Sequence, residues 1–269
     1  MIKNLFILLL LIAPIFSPAQ EINKTDKNGL KQGVWIKKYP NGKIKYKGSF
    51  LDNKPSGRME RFHTNGNLKA ILIFSKDGIK AKSELYNESA QLVAKGNFIN
   101  SQKDSTWNYF DKKGNIRAIE TFQNGIKNGP SEYRFKNGKV SESIPFAKGK
   151  KHGIWKRFFE NGKPYIEAMY EEGKLNGGFQ AFYPNGIIQF GGDYLNNKKT
   201  GSWNHYSEKG DLLFTIEYKN GVALNQDELD NEQMKKLEQM EAQKEKLIKS
   251  DPENYVNDPD SFLRSQMRR

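Results

Sequence analysis

Three histidines are the side chains of this chain best suited to acid–base or metal chemistry. They stand at His63, His152 and His205, and the chain contains no cysteine. Transition metals are held by histidine and cysteine at short, regular spacings, and no two of these histidines have such a spacing. We therefore expect no metal site and no catalytic histidine.

Two glycine–lysine segments have the composition of phosphate-binding loops. They are Gly149-Lys-Lys-His-Gly153 and Gly125-Ile-Lys-Asn-Gly129. A phosphate loop needs Gly-Lys-Ser/Thr between a strand and a long helix, and no helix pattern follows either segment. Acids and serines are scattered, with no column of acids facing another. The sequence therefore predicts a protein that is not an enzyme, with no catalytic residue and no cofactor.

The glycines belong instead to a repeat of 24 residues that organises most of the chain. An aromatic residue returns at every 24th position through eight copies. These residues are Phe50, Phe74, Phe98, Phe122, Phe146, Tyr170, Tyr194 and Tyr218. A fixed period of this length is the signature of a repeat array.

Three further columns keep the same step, and one of them holds the glycines of the hairpin turns: Gly42, Gly66, Gly114, Gly138, Gly162, Gly186 and Gly210, with Ala90 in the third unit. The glycine column contains Gly33, Gly57, Gly129, Gly153, Gly177 and Gly201, with Ala81 and Ser105 in the third and fourth units. The tryptophan column contains Trp35, Trp107, Trp155 and Trp203. We interpret all of these as structural repeat positions.

Each unit has the pattern of a β-hairpin. In the first unit, apolar and charged residues alternate after position 43, which is typical of a half-buried strand. The strands are separated by Asn41-Gly42, a pair that favours a turn with positive φ at both residues. Pro164 stands at one strand position, so pairing in that unit is expected to begin one residue later.

The connector between units has a constant form too. Phe146-Ala-Lys-Gly149 and Tyr170-Glu-Glu-Gly173 each lead, after three residues, into Gly-x-aromatic. Here the chain resembles the MORN repeat family, most closely the bacterial variant found in YwqK-type antitoxin proteins. The resemblance covers residues 28–222. It implies an all-β fold: an elongated, single-layer antiparallel ribbon of about eight 24-residue hairpins, followed by a C-terminal α-helix.

The third unit departs most from the repeat. Ala81, Ser83 and Ala90 stand where glycine, tryptophan and glycine are expected, and Ser105 opens the fourth unit. Losing the large ring removes buried area. We expect the junction around residues 78–106 to be the weakest interface of the array.

The N-terminus has the pattern of an export signal. Lys3 precedes an apolar run from Leu5 to Phe16, which is shorter than the roughly 20 residues of a spanning helix. Small residues then lead to an expected cleavage between Ala19 and Gln20. Residues 1–19 are thus predicted to be a signal peptide and residues 20–27 a polar lead-in. The protein is predicted to be exported, to the periplasm or the cell surface.

Residues 223–269 form a separate C-terminal segment. The part from Asp227 to Ser250 lacks glycine and proline and favours a helix, and the remainder is expected to be a flexible tail. The helix either caps the last hairpin or binds a partner.

Charge and aromatic content bear on the partner. Residues 222–269 hold 11 acids and 8 bases, net −3, which leaves 36 bases and 20 acids, net +16, before them. These lysines either bind anionic lipid or glycan or solvate the polar face. The tryptophans either stack on a ligand or hold the hairpins together. We expect a protein partner and no nucleic acid, since the chain is exported. An antitoxin role clamping a toxin is what the YwqK resemblance implies.

Overall fold

The computed structural model describes residues 21–225 and 234–242. These residues form one open antiparallel sheet and one short helix, α1, at 234–242, so the expected all-β hairpin fold is confirmed. The strands are β1 (Lys24–Thr25), β2 (Lys31–Lys38), β3 (Ile44–Leu51), β4 (Lys54–Phe62), β5 (Leu68–Phe74), β6 (Lys80–Tyr86), β7 (Leu92–Ile99), β8 (Gln102–Phe110), β9 (Ile116–Gln123), β10 (Ile126–Arg134), β11 (Val140–Ala147), β12 (Lys150–Lys151), β13 (Gly153–Phe158), β14 (Pro164–Glu171), β15 (Lys174–Phe182), β16 (Ile188–Leu195), β17 (Lys198–Tyr206), β18 (Leu212–Lys219) and β19 (Val222–Ala223).

Strands that follow each other in the chain pair with each other, and β12 with β13 acts as a single interrupted strand beside β11. Within each hairpin the aromatic column lies directly opposite the glycine column. The pairs are Gly33 with Phe50, Gly57 with Phe74, Ala81 with Phe98, Ser105 with Phe122, Gly129 with Phe146, Gly153 with Tyr170, Gly177 with Tyr194 and Gly201 with Tyr218. The two periodicities are therefore one cross-strand contact, in which a small residue faces a ring.

The turn inside each hairpin differs from the expected one. Gly42 has φ +80°, whereas Asn41 is not among the positive-φ residues. The amide of Gly42 donates to the carbonyl of Tyr39 and that of Tyr39 to Lys43. This is a type I turn followed by a glycine bulge, so the prediction of positive φ at both residues is wrong.

Asparagine is favoured at this turn for its side chain. Asn41 Oδ1 accepts from the amide of Lys43 at 3.1 Å, and its Nδ2 donates to the carbonyl of Thr64 in the next unit at 3.0 Å. Asn65 and Asn185 make the equivalent two bonds. The hairpin tips are thus joined to each other by a ladder of amide hydrogen bonds.

Turns with two positive-φ residues occur instead at the connectors between units. Asp52 and Asn53, at φ 49° and 65°, are one example, and a shift of strand register follows. The third unit lacks this shift: β5 and β6 pair without interruption, with Phe74 opposite Ala81. Its connector is a longer loop closed by the amide of Ser75 bonded to Lys80. The connector between β5 and β6 keeps the 24-residue spacing by forming a longer turn, whereas the connector between β3 and β4 forms a short turn followed by a register shift.

Pro164 does not delay strand pairing. It pairs with Phe158 in the register that joins Ile44 to Lys38 in the first unit. The expected delay is wrong because proline is the first residue of β14, a place where its missing N–H is tolerated.

The two faces of the sheet have different roles. One face, which we call the packed face, carries the buried residues and most of the rings. The other, polar face carries directly opposed ion pairs such as Lys47–Glu60, Lys95–Glu84 and Lys156–Glu167, at 2.8 to 2.9 Å. The lysine-rich positions of the polar face are therefore partly neutralised within the sheet.

Candidate interaction site

The tryptophan column belongs to the packed face and is mostly closed. Trp107, Trp155 and Trp203 are 0 to 2% exposed. Trp203 lies 5.1 Å from Tyr194 and 6.0 Å from Tyr218, both edge to face. These three rings hold hairpins together and offer no surface to a ligand. Trp35, in the first unit, is the exception because it is only half-buried.

Glycines on the neighbouring strand make room for two of the closed indoles. A Cβ built on Gly96 would lie 2.3 Å from Trp107, and one on Gly192 would lie 2.6 Å from Trp203. Those approaches are far shorter than a van der Waals contact. The close packing of these rings thus depends on the absence of a side chain across the strand.

A lysine column, not recognised in the sequence, lies over the rings. Lys31, Lys103, Lys127, Lys151 and Lys199 keep the 24-residue step, and each Nζ lies 4.6 to 5.4 Å from a ring centroid. Ammonium groups at this distance are attracted by the ring face. The signal was present in the sequence, because the column stands two residues before the glycine column.

Several of these ammonium groups also have a polar partner on the packed face. Lys127 pairs with Glu120 at 3.0 Å, and Lys103 donates to the hydroxyl of Tyr109 at 2.8 Å. Lys199 pairs with Glu241 of α1 at 2.5 Å. Partners of this kind offset the cost of removing a charge from water.

Two acids, Glu120 of β9 and Glu142 of β11, are also buried on this face, on the two strands that flank β10. Tyr133 donates to Glu120 at 2.9 Å, and Trp155 Nε1 donates to Glu142 at 2.6 Å. Arg157 lies 3.7 Å from Glu142. The sheet register places them on either side of β10, where Glu120 is opposite Ser131 and Glu142 is opposite Tyr133. Each carboxylate is engaged by packed-face donors, as a structural polar cluster requires.

The three histidines occupy different positions of the repeat and do not lie together. His63 Nε2 lies 3.0 Å from the carbonyl of Tyr86, a contact that Tyr39 and Tyr183 make in their own units. His152 is exposed. Within residues 21–225 and 234–242, no group of three or more histidines and acids is arranged to hold a metal.

His205 has a different environment from the other two. It is 2% exposed and stacks between Phe190 and Phe214, at 5.2 and 4.7 Å. Burial, with a smaller effect of Lys199, lowers the pKa of His205 from 6.5 to about 4. The ring is therefore neutral at pH 7 and acts as an aromatic member of the stack.

Helix α1 lies on the packed face of the last unit. Leu237 is 3% exposed, Met240 packs on the core, and Glu241 reaches Lys199. Burial and the nearby Glu241 raise the pKa of Tyr218 well above its usual value. Of the two predicted roles for the helix, the cap agrees with these contacts.

The predicted signal peptide, with its cleavage point between Ala19 and Gln20, and the predicted tail lie outside the described residues. The part of the chain that the structure describes contains no helix long and apolar enough to cross a membrane.

Comparison with known families identifies the repeat. The MORN repeat variant matches at residues 31–52 and at 151–172, which are the first and sixth units. Each match begins at a lysine of the column described above. The chain thus contains MORN-type repeats, and the narrower likeness to YwqK-type antitoxins stays a prediction.

No curated protein matches the chain significantly. Among solved structures, a mutant of TarM from S. aureus is similar over 36% of this chain at 20% identity, with a TM-score of 0.26. The chain spans 19% of that protein.

Proposed function

We propose that this chain is an exported, non-enzymatic scaffold of the bacterial cell envelope that binds a protein partner through its repeat ribbon. MORN-type repeats are consistent with such a role. The observation that carries the proposal is the change in closure along the packed face. Trp203 of the last unit is fully buried, whereas Trp35 of the first unit is only half-buried, and Phe50 and Tyr218 beside them are both partly covered. Partly open rings at one end of an otherwise filled face favour protein contact.

Export is supported by the leader pattern. Lys3, the short apolar run and the small residues before Gln20 have the order of a cleaved signal. Cleavage would place the ribbon in the periplasm or at the cell surface.

The test is affinity purification from envelope fractions, with the full chain and with a form ending at residue 222. We expect one specific envelope protein to be retained by both forms, because the open rings belong to the first unit. N-terminal sequencing of the same preparation should begin at Gln20. If neither form retains a specific partner, or if the leader is still present in the cytoplasm, the proposal is wrong.

An immunity role is a narrower form of this proposal, supported by the family resemblance alone. It requires a toxin gene beside this one and a toxin domain as the retained partner. Binding to anionic lipid or glycan is less favoured, because acids on neighbouring strands pair with lysines of the polar face.

A further inference from the structure

The first and last units carry the same three-residue arrangement on the packed face. Lys31 Nζ lies 4.8 Å from the Trp35 ring and 5.0 Å from Phe50, and the two rings meet at 6.4 Å and 73°. In the last unit, Lys199 lies 4.6 Å from Trp203 and 4.8 Å from Tyr218, with rings at 6.0 Å and 72°. Seven repeat steps separate two nearly identical sites, each formed by a lysine over an edge-to-face ring pair.

The site in the last unit is occupied by α1. Glu241 forms an ion pair with Lys199, whose side chain is only 11% exposed, while Leu237 is buried and Met240 packs against the hydrophobic core. These three residues lie at i, i+3 and i+4 and therefore share one helix face. The chain itself thus shows which ligand this arrangement accepts: an amphipathic helix with a carboxylate one position after its second apolar anchor.

Among the described residues, no helix covers the site in the first unit. Within residues 21–225 and 234–242, no carboxylate is paired with Lys31. The nearby acids Asp26 and Asp52 accept instead from the side-chain amide of Gln32, at 3.2 and 2.6 Å. Trp35 is half-buried, where Trp203 is fully buried.

The remaining lysines of the column are less suited to an outside ligand. Lys103 and Lys127 already contact Tyr109 and Glu120. Lys151 lies over Tyr170 beside the buried Trp155, inside the array. The first unit alone combines a free ammonium with a partly open ring pair, among the residues described.

We propose that Lys31, Trp35 and Phe50 form a docking site for an acidic amphipathic helix of a partner protein, bound as α1 is bound at Lys199. The inference rests on the proposed scaffold function and names the chemistry of its partner. Apolar side chains of that helix would cover the indole, and its carboxylate would pair with Lys31 in a partly desolvated setting, where a charge-assisted contact is strong.

The test uses the full chain and a synthetic peptide of residues 229–248, blocked at both ends, as the probe. The peptide has no tryptophan or tyrosine, so fluorescence of the chain reports on binding. The tethered α1 keeps the Lys199 site filled through its high effective concentration, so the free peptide should report on the first unit. We expect saturable binding that weakens about tenfold with Lys31→Met, which keeps the apolar stem and removes the charge.

Lys199→Met is the matched control, and it should leave the affinity of the peptide within about twofold. A peptide with Glu241→Gln should lose about tenfold on the unaltered chain, so the result does not depend on the folding of a variant. Absence of binding, or loss with Lys199→Met only, would overturn the proposal. A dimer of the full chain that Lys31→Met dissociates would also overturn it, by assigning the site to a second copy.

Failure of this inference and failure of the scaffold function are distinguishable. If the peptide does not bind but the envelope partner is retained on the column, the docking site is wrong and the scaffold stands. If the peptide binds and no envelope partner is found, the site stands and the scaffold function is wrong.

Discussion

The third and eighth units have the same strand register, yet equivalent positions on their packed faces carry side chains of very different size. In the eighth unit Trp203 is fully buried among Tyr194 and Tyr218. In the third, Ser83 takes the place of the indole, and its hydroxyl donates to the carbonyl of Gly96 at 2.9 Å. Both units are 24 residues long. The spacing therefore says little about how much apolar area each unit buries.

The largest expected effect on stability is the loss of the buried indole of the eighth unit. Trp203→Ala should lower the free energy of unfolding by about 3–5 kcal/mol, because a fully buried indole leaves a cavity. Denaturant unfolding measures it. Trp35→Ala, at the partly open position, should cost about 1–2 kcal/mol, and equal losses would contradict the difference between the two ends.

The second effect is a pH dependence of stability that arises from His205 in the eighth unit. The pKa of His205 falls from 6.5 to about 4 on folding, so the unfolded chain binds more protons between these values. Stability should therefore be complete above pH 6.5 and decline towards pH 4, by up to about 3 kcal/mol. His205→Phe should remove this part of the decline. Identical pH profiles for the two proteins would show that the ring does not titrate in this way.

A third experiment tests the contact between glycine and indole. Gly192→Ala should cost about 1–3 kcal/mol, because its Cβ would lie 2.6 Å from Trp203. Gly178→Ala is the control, since the nearest atom to its Cβ is 3.9 Å away. That control should change stability by less than about 0.5 kcal/mol. A neutral Gly192→Ala would mean that the indole moves without cost.

Amide hydrogen exchange compares the two units directly. We expect amides of β6 and β7, in the third unit, to exchange about tenfold faster than those of β17 and β18, in the eighth, because the third unit buries smaller side chains. The prediction that the junction around 78–106 is the weakest rests on this measurement. Equal protection along the array would contradict it.

The smallest effect concerns backbone conformation. Ala81 stands in the glycine column but pairs regularly with Phe98, without positive φ. Ala81→Gly should therefore lower stability by about 0.5–1 kcal/mol, although it restores the repeat pattern. Gly201→Ala, at φ +63°, should cost about 1–2 kcal/mol. A stabilising Ala81→Gly would show that the third unit is strained without its glycine.

The fold was predictable from the sequence because the repeat is local: a hairpin is specified by alternation and by its turn residues. The errors lay where two signals looked alike. Asn-Gly was assigned the turn type that the connectors adopt, because asparagine tolerates positive φ yet here uses its amide to reach the next unit. The lysine column was not predicted because a lysine near the beginning of a strand is usually a solvent-exposed residue.

The sequence by itself determined the 24-residue period, the hairpins and the positions of the aromatic, glycine and tryptophan columns. Tertiary structure decided which rings are closed and which polar groups meet. Glu120 and Glu142 are brought to the same face, on either side of β10, only by the register of β9, β10 and β11. Lys199 and Glu241 meet only because α1 folds back on the last hairpin. Such contacts depend on how strands and helix pack in space, which no short stretch of sequence encodes.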